Sequence, residues 1–295
     1  MILVTGATGR IGLRVVERLV DANQRVRVFV RSKEKAQRLL SSHVEIIEGD
    51  LSDADVVRDA VESVNSIMLL SPVNPEQVTL QGNVVVAAAA GSRPHMVKVS
   101  GLGTALDSFI DSGRWHAQTE QQIVSAGLSY TFLRPLFFMQ NLSFLFDSAR
   151  RLGLICAGVE NAKIAMIDVQ DIAEVATRIL INPALMMNQS AALTSLESVS
   201  YQTVARTFGE VLGRDVRFEH QSRDDVKKNL MESGQPEWHI KLLLQFNQAF
   251  IEGQGDIVNT VAEEILGRAP TSLKKFLRRE LNNSSIDEGD NPFPS

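Results

Sequence analysis

The 295-residue sequence predicts an α/β fold, a doubly wound parallel sheet carrying a small helix-rich C-terminal cap. Three observations carry that expectation. Short β-branched runs alternate with amphipathic stretches through the first half of the chain, about 20 to 35 residues apart. Those runs are almost wholly apolar and do not alternate with polar residues, as strands covered on both faces require. A glycine triplet, Gly6, Gly9 and Gly12, falls where the first run gives way to the first amphipathic stretch.

Taken in order, strands are expected at 2–5, 26–30, 44–47, 67–70, 96–99 and 130–133. Helices are expected between them at 11–22, 33–40, 53–61, 77–90 and 112–126. In the first helix Ile11, Val15, Leu19 and Ala22 recur at the spacing of one helical face. The rhythm changes after about residue 135. Short strand-like pieces at 163–167, 191–193 and 216–219 are there interleaved with helices at 172–180, 201–212, 224–231, 240–251 and 273–281. The expected division is therefore a nucleotide-binding (Rossmann) core at 1–135, completed by parts of 136–195. An interleaved substrate-binding cap at 136–281 is expected against the C-terminal edges of the strands, where doubly wound folds bind ligands. A flexible tail is expected at 282–295, which holds two prolines and no apolar periodicity.

Composition narrows the classes of function. Thirty basic against thirty-five acidic residues give a net charge of −5, against a nucleic-acid-binding surface. One cysteine, Cys156, excludes an internal disulfide framework and fits a reducing compartment. Five scattered histidines show no metal-ligand spacing, so no metal site is expected. Met1 leads straight into an apolar strand, and the longest apolar run, 84–90, is far too short to span a bilayer. The expectation is a cytoplasmic protein with a small-molecule substrate, no nucleic-acid or membrane partner, and either a homodimeric state or a regulatory protein partner.

The chemistry concentrates where strands end. In Thr5-Gly6-Ala7-Thr8-Gly9-Arg10-Ile11-Gly12 the glycines permit a tight turn and close approach of a pyrophosphate. The free N–H groups and dipole of the helix start supply attraction for its anionic oxygens. Strand two ends Phe29-Val30-Arg31-Ser32-Lys33-Glu34-Lys35, without the acid that would accept the ribose hydroxyls of NAD. Arg31, with Lys35 one turn on, suits the 2′-phosphate of NADP, or else forms a solvated basic helix start. In Gly49-Asp50-Leu51 the carboxylate of Asp50 either accepts from the adenine amino group, with Leu51 on the ring, or caps the next helix. Ser71, before Pro72, breaks strand four where a ribose or nicotinamide would pass.

Three further stretches complete the pattern. They are Leu133-Arg134-Pro135-Leu136-Phe137-Phe138-Met139-Gln140-Asn141-Leu142, Ile167-Asp168-Val169-Gln170-Asp171-Ile172-Ala173 and Gly267-Arg268-Ala269-Pro270-Thr271-Ser272-Leu273-Lys274-Lys275-Phe276. With the glycine loop, Arg31, Gly49-Asp50-Leu51 and Val99-Ser100, they resemble the NmrA-like group of atypical short-chain dehydrogenase/reductases. The resemblance reaches to about residue 281 and is strongest to the bacterial quinone, triphenylmethane-dye and azo-dye reductases that use NAD(P)H. It implies NADPH as cofactor, with contacts along the loop from Gly6 to Gly12 and at Arg31, Lys35, Asp50, Leu51, Ser71, Ser100, His116, Leu136, Phe137 and Phe138. Phe137, Phe138 and Met139 form either an apolar wall beside the nicotinamide or part of a core. Trp115, Phe138, Asn141 and Trp238 are the candidate substrate contacts, the tryptophans for stacking a planar molecule.

The departure from ordinary short-chain dehydrogenases concerns the proton donor. Those enzymes carry a Tyr-x-x-x-Lys pair; counting back from Glu120 puts Ser112 at the Tyr position and His116 at the Lys position. The two tyrosines, Tyr130 and Tyr201, have Arg134 and Ala205 four residues on. His116 is the candidate catalytic residue, holding the ribose or donating a proton from a group that titrates near ~6.5. The expected activity is hydride transfer from NADPH to an electron-poor planar molecule such as a quinone, imine or dye. The alternatives are a cofactor-sensing regulator that turns nothing over, as NmrA is, and a dedicated biosynthetic reductase.

Overall fold

A computed structural model describes residues 1–283, so the expected tail lies outside the described residues beyond Asn283. The first half alternates strictly. It runs β1 (Ile2–Thr5), α1 (Arg10–Asp21), β2 (Val26–Val30), α2 (Lys33–Leu39), β3 (Glu45–Glu48) and α3 (Ala54–Val61). Then come β4 (Ser66–Leu69), α4 (Gln77–Ala90), β5 (His95–Val99), α5 (Asp111–Ser125) and β6 (Tyr130–Pro135). Next are β7 (Phe137–Phe138), a 3₁₀ turn at Met139–Leu145, α6 (Phe146–Leu152), β8 (Leu154–Ala157), β9 (Lys163–Ile164) and β10 (Met166–Ile167). They are followed by α7 (Val169–Ile181), β11 (Gln189–Leu193), β12 (Val199–Ser200), α8 (Tyr201–Leu212) and β13 (Arg217–His220). The helices α9 (Arg223–Glu232), α10 (Glu237–Ile251), α11 (Val261–Leu266) and α12 (Leu273–Asn283) close the series.

The chain divides into two compact units. The first comprises Met1–Pro135, Val169–Leu193 and Glu264–Gly267. Its seven strands lie in the order β11-β6-β5-β4-β1-β2-β3, and every neighbouring pair is parallel. β1 sits between β2 and β4, so the winding reverses there, and the crevice beyond the strand ends at such a reversal is a ligand site. Right-handed crossovers put α1 and α7, which pack together, on one face and α3, α4 and α5 on the other. Ile67, Leu69, Met96, Phe132, Val84 and Ile123 fill the second layer. The 191–193 piece proves to be the seventh strand, since Ala191 pairs with Leu133 and extends the sheet past β6.

Among the described residues the second unit comprises Leu136–Asp168, Thr194–Glu263 and 268–283. Its core gathers Leu142, Phe146, Ile155, Val204, Phe208, Phe276 and Leu277. Its strands are minimal: β7 with β10, β8 with β13, and β9 antiparallel to β12. The single strand expected at 163–167 is split because Ala165 donates its N–H to the Gly255 carbonyl at 2.9 Å, leaving β9 and β10 to pair with different partners. Among the described residues no helix is long and apolar enough to cross a membrane, and no group of three or more His, Cys, Asp or Glu could hold a metal ion.

Candidate active site

The glycine loop bridges β1 and α1 at the winding reversal. Thr5 fixes its position: Oγ1 donates to the Leu70 carbonyl at 2.7 Å and accepts from the Leu70 N–H at 2.8 Å, clamping the ends of β1 and β4. Gly6 adopts φ +61, and a Cβ there would lie 2.9 Å from the Leu70 carbonyl oxygen. A Cβ on Gly12 would overlap the Gly6 carbonyl and come within 2.8 Å of the Ala7 Cα, so only glycine lets the helix sit this close to its strand. At Gly9 the nearest atom to an added Cβ is the Gly6 oxygen at 3.2 Å, which leaves its outer side open. Gly9 is the N-cap of α1, no side chain caps it, and the first turn carries no acid. The Gly9 N–H is taken by the Gly6 carbonyl at 3.0 Å, and the N–H groups of Ile11 and Gly12 are available to an anion.

Around the adenosine end the arrangement is more mixed than the sequence indicates. Arg31 and Lys35 are both exposed at the start of α2. Ser32 caps that helix by accepting from the Lys35 N–H, and the Glu48 carboxylate accepts from the Lys33 N–H at 2.8 Å. Sequence reasoning missed Glu48, because only the pairing of β3 with β2 sets it opposite Val30 beside the start of α2. Asp50 does not cap α3. Asp53 does so, accepting from the Asp55 and Val56 N–H groups, while Asp50 closes a turn by accepting from the Ser52 N–H and hydroxyl at 2.9 and 2.7 Å. Those bonds, with Arg31 nearby, hold the Asp50 carboxyl below its ordinary range. Leu51 is half-buried, and its carbonyl accepts from the Asn83 side chain of α4.

Behind the strand ends lies a buried polar chain that the sequence reading left unassigned apart from Ser71 and His116. Lys98, in β5, is fully buried. Its Nζ donates to Gln81 Oε1 at 2.8 Å, to the Val99 carbonyl at 3.2 Å and to His116 Nδ1 at 3.1 Å. Gln81 in turn donates to Ser71 Oγ at 2.8 Å, and Gln77 Nε2 meets His116 Nδ1 at 3.0 Å. Gln77 Oε1 is buried without a partner. With two donors aimed at Nδ1, the imidazole is neutral and carries its proton on Nε2. Burial, Lys98 and Arg134 hold its pKa well below the usual value. Nε2 makes no hydrogen bond among the described residues and is not among the buried unpaired atoms, so it keeps solvent contact. That edge of the ring faces Gly101, whose added Cβ would lie 3.6 Å from His116 Cδ2. The signal was present in the sequence: an ionisable residue interrupts the apolar run of β5, and two glutamines stand one helical turn apart on α4.

The other candidates are distributed between the units. Ser100 follows β5 and shares a hydrogen bond with Thr104 at 3.2 Å. Ser112 is buried in the first turn of α5, and Trp115 is half-buried one residue before His116. Tyr130 opens β6 at the far end of the sheet, stacked on Phe132 at 4.2 Å. Leu136, Phe137, Phe138, Met139, Asn141 and Trp238 belong to the second unit. There Leu136 and Phe137 pack against the core, Phe137 edge-on to Phe250 at 5.7 Å, and Met139 is buried in it. Phe138 and Asn141 are half-buried. Trp238 is also half-buried, on α10 against His239.

The described geometry is that of a nucleotide-binding α/β protein, and comparison with known proteins agrees. The chain is 33% identical over 281 residues to the NAD(P)H azoreductase of Xenophilus azovorans, covering 94% of this chain and 97% of the relative. It is 30% identical over 273 residues to (4-alkanoyl-5-oxo-2,5-dihydrofuran-3-yl)methyl phosphate reductase of Streptomyces griseus, covering 91% and 93%. Its fold superposes on that of the NADPH-dependent quinone oxidoreductase of Escherichia coli, solved with NADPH, at a TM-score of 0.87 over 97% of this chain and all of the other, with 22% identity. The NmrA-like family model matches residues 1–277, almost the entire described chain. From the glycine cradle to the seven-strand sheet and the second unit, the chain belongs to the NmrA-like family.

Proposed function

We propose that the protein is an NADPH-preferring reductase that delivers hydride to an electron-poor planar molecule of the quinone, imine or dye type, without a Tyr-x-x-x-Lys pair. The observation that carries this reading is the glycine cradle at the β1–β4 reversal. A Cβ at Gly6 or Gly12 would fill it, and the open start of α1 faces it. When bound, NADPH supplies the hydride. The N–H groups of Ile11 and Gly12 hold its pyrophosphate, and Arg31 binds the 2′-phosphate. Ser71 and Ser100, at the ends of β4 and β5, line its path along the sheet edge. His116 supplies the proton from Nε2–H, because Nδ1 is tied to Gln77 and Lys98 while Nε2 stays free. Trp115, one residue before His116, is the proposed contact of the planar acceptor.

Steady-state reduction of a quinone with NADPH and with NADH, together with calorimetric titration of both cofactors, tests this reading. The expected result is acceptor-dependent NADPH oxidation in the wild type. His116→Ala is expected to lose roughly 10²–10⁴-fold in turnover with little change in NADPH affinity, and Ser112→Ala to be nearly silent. A large turnover loss for Ser112→Ala would put the acid at that serine. Tight NADPH binding with no turnover of any quinone, imine or dye would favour the sensor role.

A further inference from the structure

We propose that Lys98 is the reservoir of the proton that His116 delivers, acting through Nδ1 of the imidazole. The inference rests on the reductase reading above and deepens it. A fully buried ammonium on a core strand is costly unless it is paired, and an apolar residue would serve a purely structural role better. Lys98 has three N–H donors and finds three acceptors: Gln81 Oε1, the Val99 carbonyl and His116 Nδ1. In that arrangement the imidazole holds its proton on Nε2.

One proton less gives a second arrangement that is equally well satisfied. The neutral amine keeps two hydrogens for Gln81 and Val99 and turns its lone pair to His116, which then carries its hydrogen on Nδ1. The Gln77 amide need only rotate by half a turn to bring its unpartnered Oε1 to that Nδ1–H. The step balances. The acceptor takes hydride, that is two electrons and one hydrogen, and its anion takes the Nε2 proton. The Nδ1 lone pair takes a proton from Lys98, whose ammonium becomes an amine. A solvent proton landing on Nε2 then reverses the shift and recharges Lys98, so the buried amine needs no channel of its own.

The surroundings support a change of charge at this lysine. The charged groups acting on the cluster are Glu120 of α5 and Arg134 of β6, which pair with each other, Arg134 Nε donating to Glu120 at 3.1 Å. From α4 only the amides of Gln77 and Gln81 face it, and Gln81 leads on to the Ser71 hydroxyl beyond β4. Burial lowers the Lys98 pKa to about 7 against the opposing pull of Glu120.

Nitrogen-15 NMR of the histidine-labelled protein, without cofactor or acceptor and from about pH 5.5 to about 9, tests the proposal. His116→Asn identifies the resonance. The wild type is expected to exchange the Nε2–H for the Nδ1–H tautomer as Lys98 discharges, with no imidazolium at either end. In Lys98→Met the tautomer should be independent of pH. Turnover in that variant should fall about 10–100-fold and lose its decline above neutral pH, with NADPH affinity within about twofold. An imidazolium forming in the wild type overturns the proposal, as does an unchanging tautomer or an unaltered pH profile in Lys98→Met. If that variant does not fold, the wild-type titration decides alone. Absence of turnover in the wild type would count against the reductase reading, while the NMR arm still reads the relay.

Discussion

Gly9 and Gly12 stand three residues apart in one loop but have different tasks. A side chain at Gly12 collides with backbone on both sides, so Gly12→Ala should destabilise the protein as well as abolish NADPH binding. At Gly9 an added Cβ would meet one backbone oxygen at a tight 3.2 Å, so Gly9→Ala should cost far less stability than Gly12→Ala while weakening NADPH binding at least tenfold. Thermal melts and calorimetry separate the two, and normal NADPH binding by Gly9→Ala would mean the pyrophosphate does not lie there. Arg31 shares the start of α2 with the Glu48 carboxylate, which opposes a 2′-phosphate. Arg31→Ala removes the cation proposed to bind the 2′-phosphate, so NADPH affinity should fall by about 1.5–3 kcal/mol and the preference turn towards NADH. Equal loss for both cofactors in a titration would contradict the role given to Arg31. The loop was legible in the sequence because glycine spacing encodes backbone geometry directly. The Lys98 cluster left only separate signals, a lysine in an apolar strand and two glutamines a turn apart, because its members run from residue 71 to residue 116 and only the sheet and two helices bring them together.

At the scale of elements, β5 carries a second buried histidine with the opposite task. His95 Nε2 meets Thr131 Oγ1 at 3.0 Å and Nδ1 meets Ser129 Oγ at 3.2 Å, while Thr131 donates to the Met186 carbonyl at 2.8 Å. Thr131 therefore accepts from His95, and a single neutral imidazole ties β5 to β6 and to the turn before β11. Burial lowers its pKa from 6.5 to about 4. The unfolded chain binds the proton first, so the stability is complete above about pH 6.5 and is lost as pH falls towards about 4, by about 2–3 kcal/mol. Urea unfolding at both ends of that window should show the loss in the wild type and a smaller one in His95→Gln. Equal losses would remove His95 as the cause. The strands of the first unit were readable as short apolar runs and its helices by a sustained 3.6-residue period. In the second unit the two-residue strands have no period to read, and β8 and β13 pair across some sixty residues of chain.

At the scale of the whole molecule, the parallel sheet and the location of the glycine loop were visible in the alternation of residues 1–135, whereas the strand order, with its reversal at β1, was not. The return of α7 and β11 to the first unit was only partly visible, since three apolar residues at 191–193 do not reveal their partner strand. The proposed activity is the transfer of hydride from NADPH to an acceptor on this scaffold. A triphenylmethane dye is the most direct probe, because hydride adds to its central carbon and the hydrogen stays there without exchange. With NADPH deuterated at the transferring position of nicotinamide C4, mass spectrometry of the colourless product should find one deuterium on that carbon. Tight NADPH binding with no deuterated product would contradict the account.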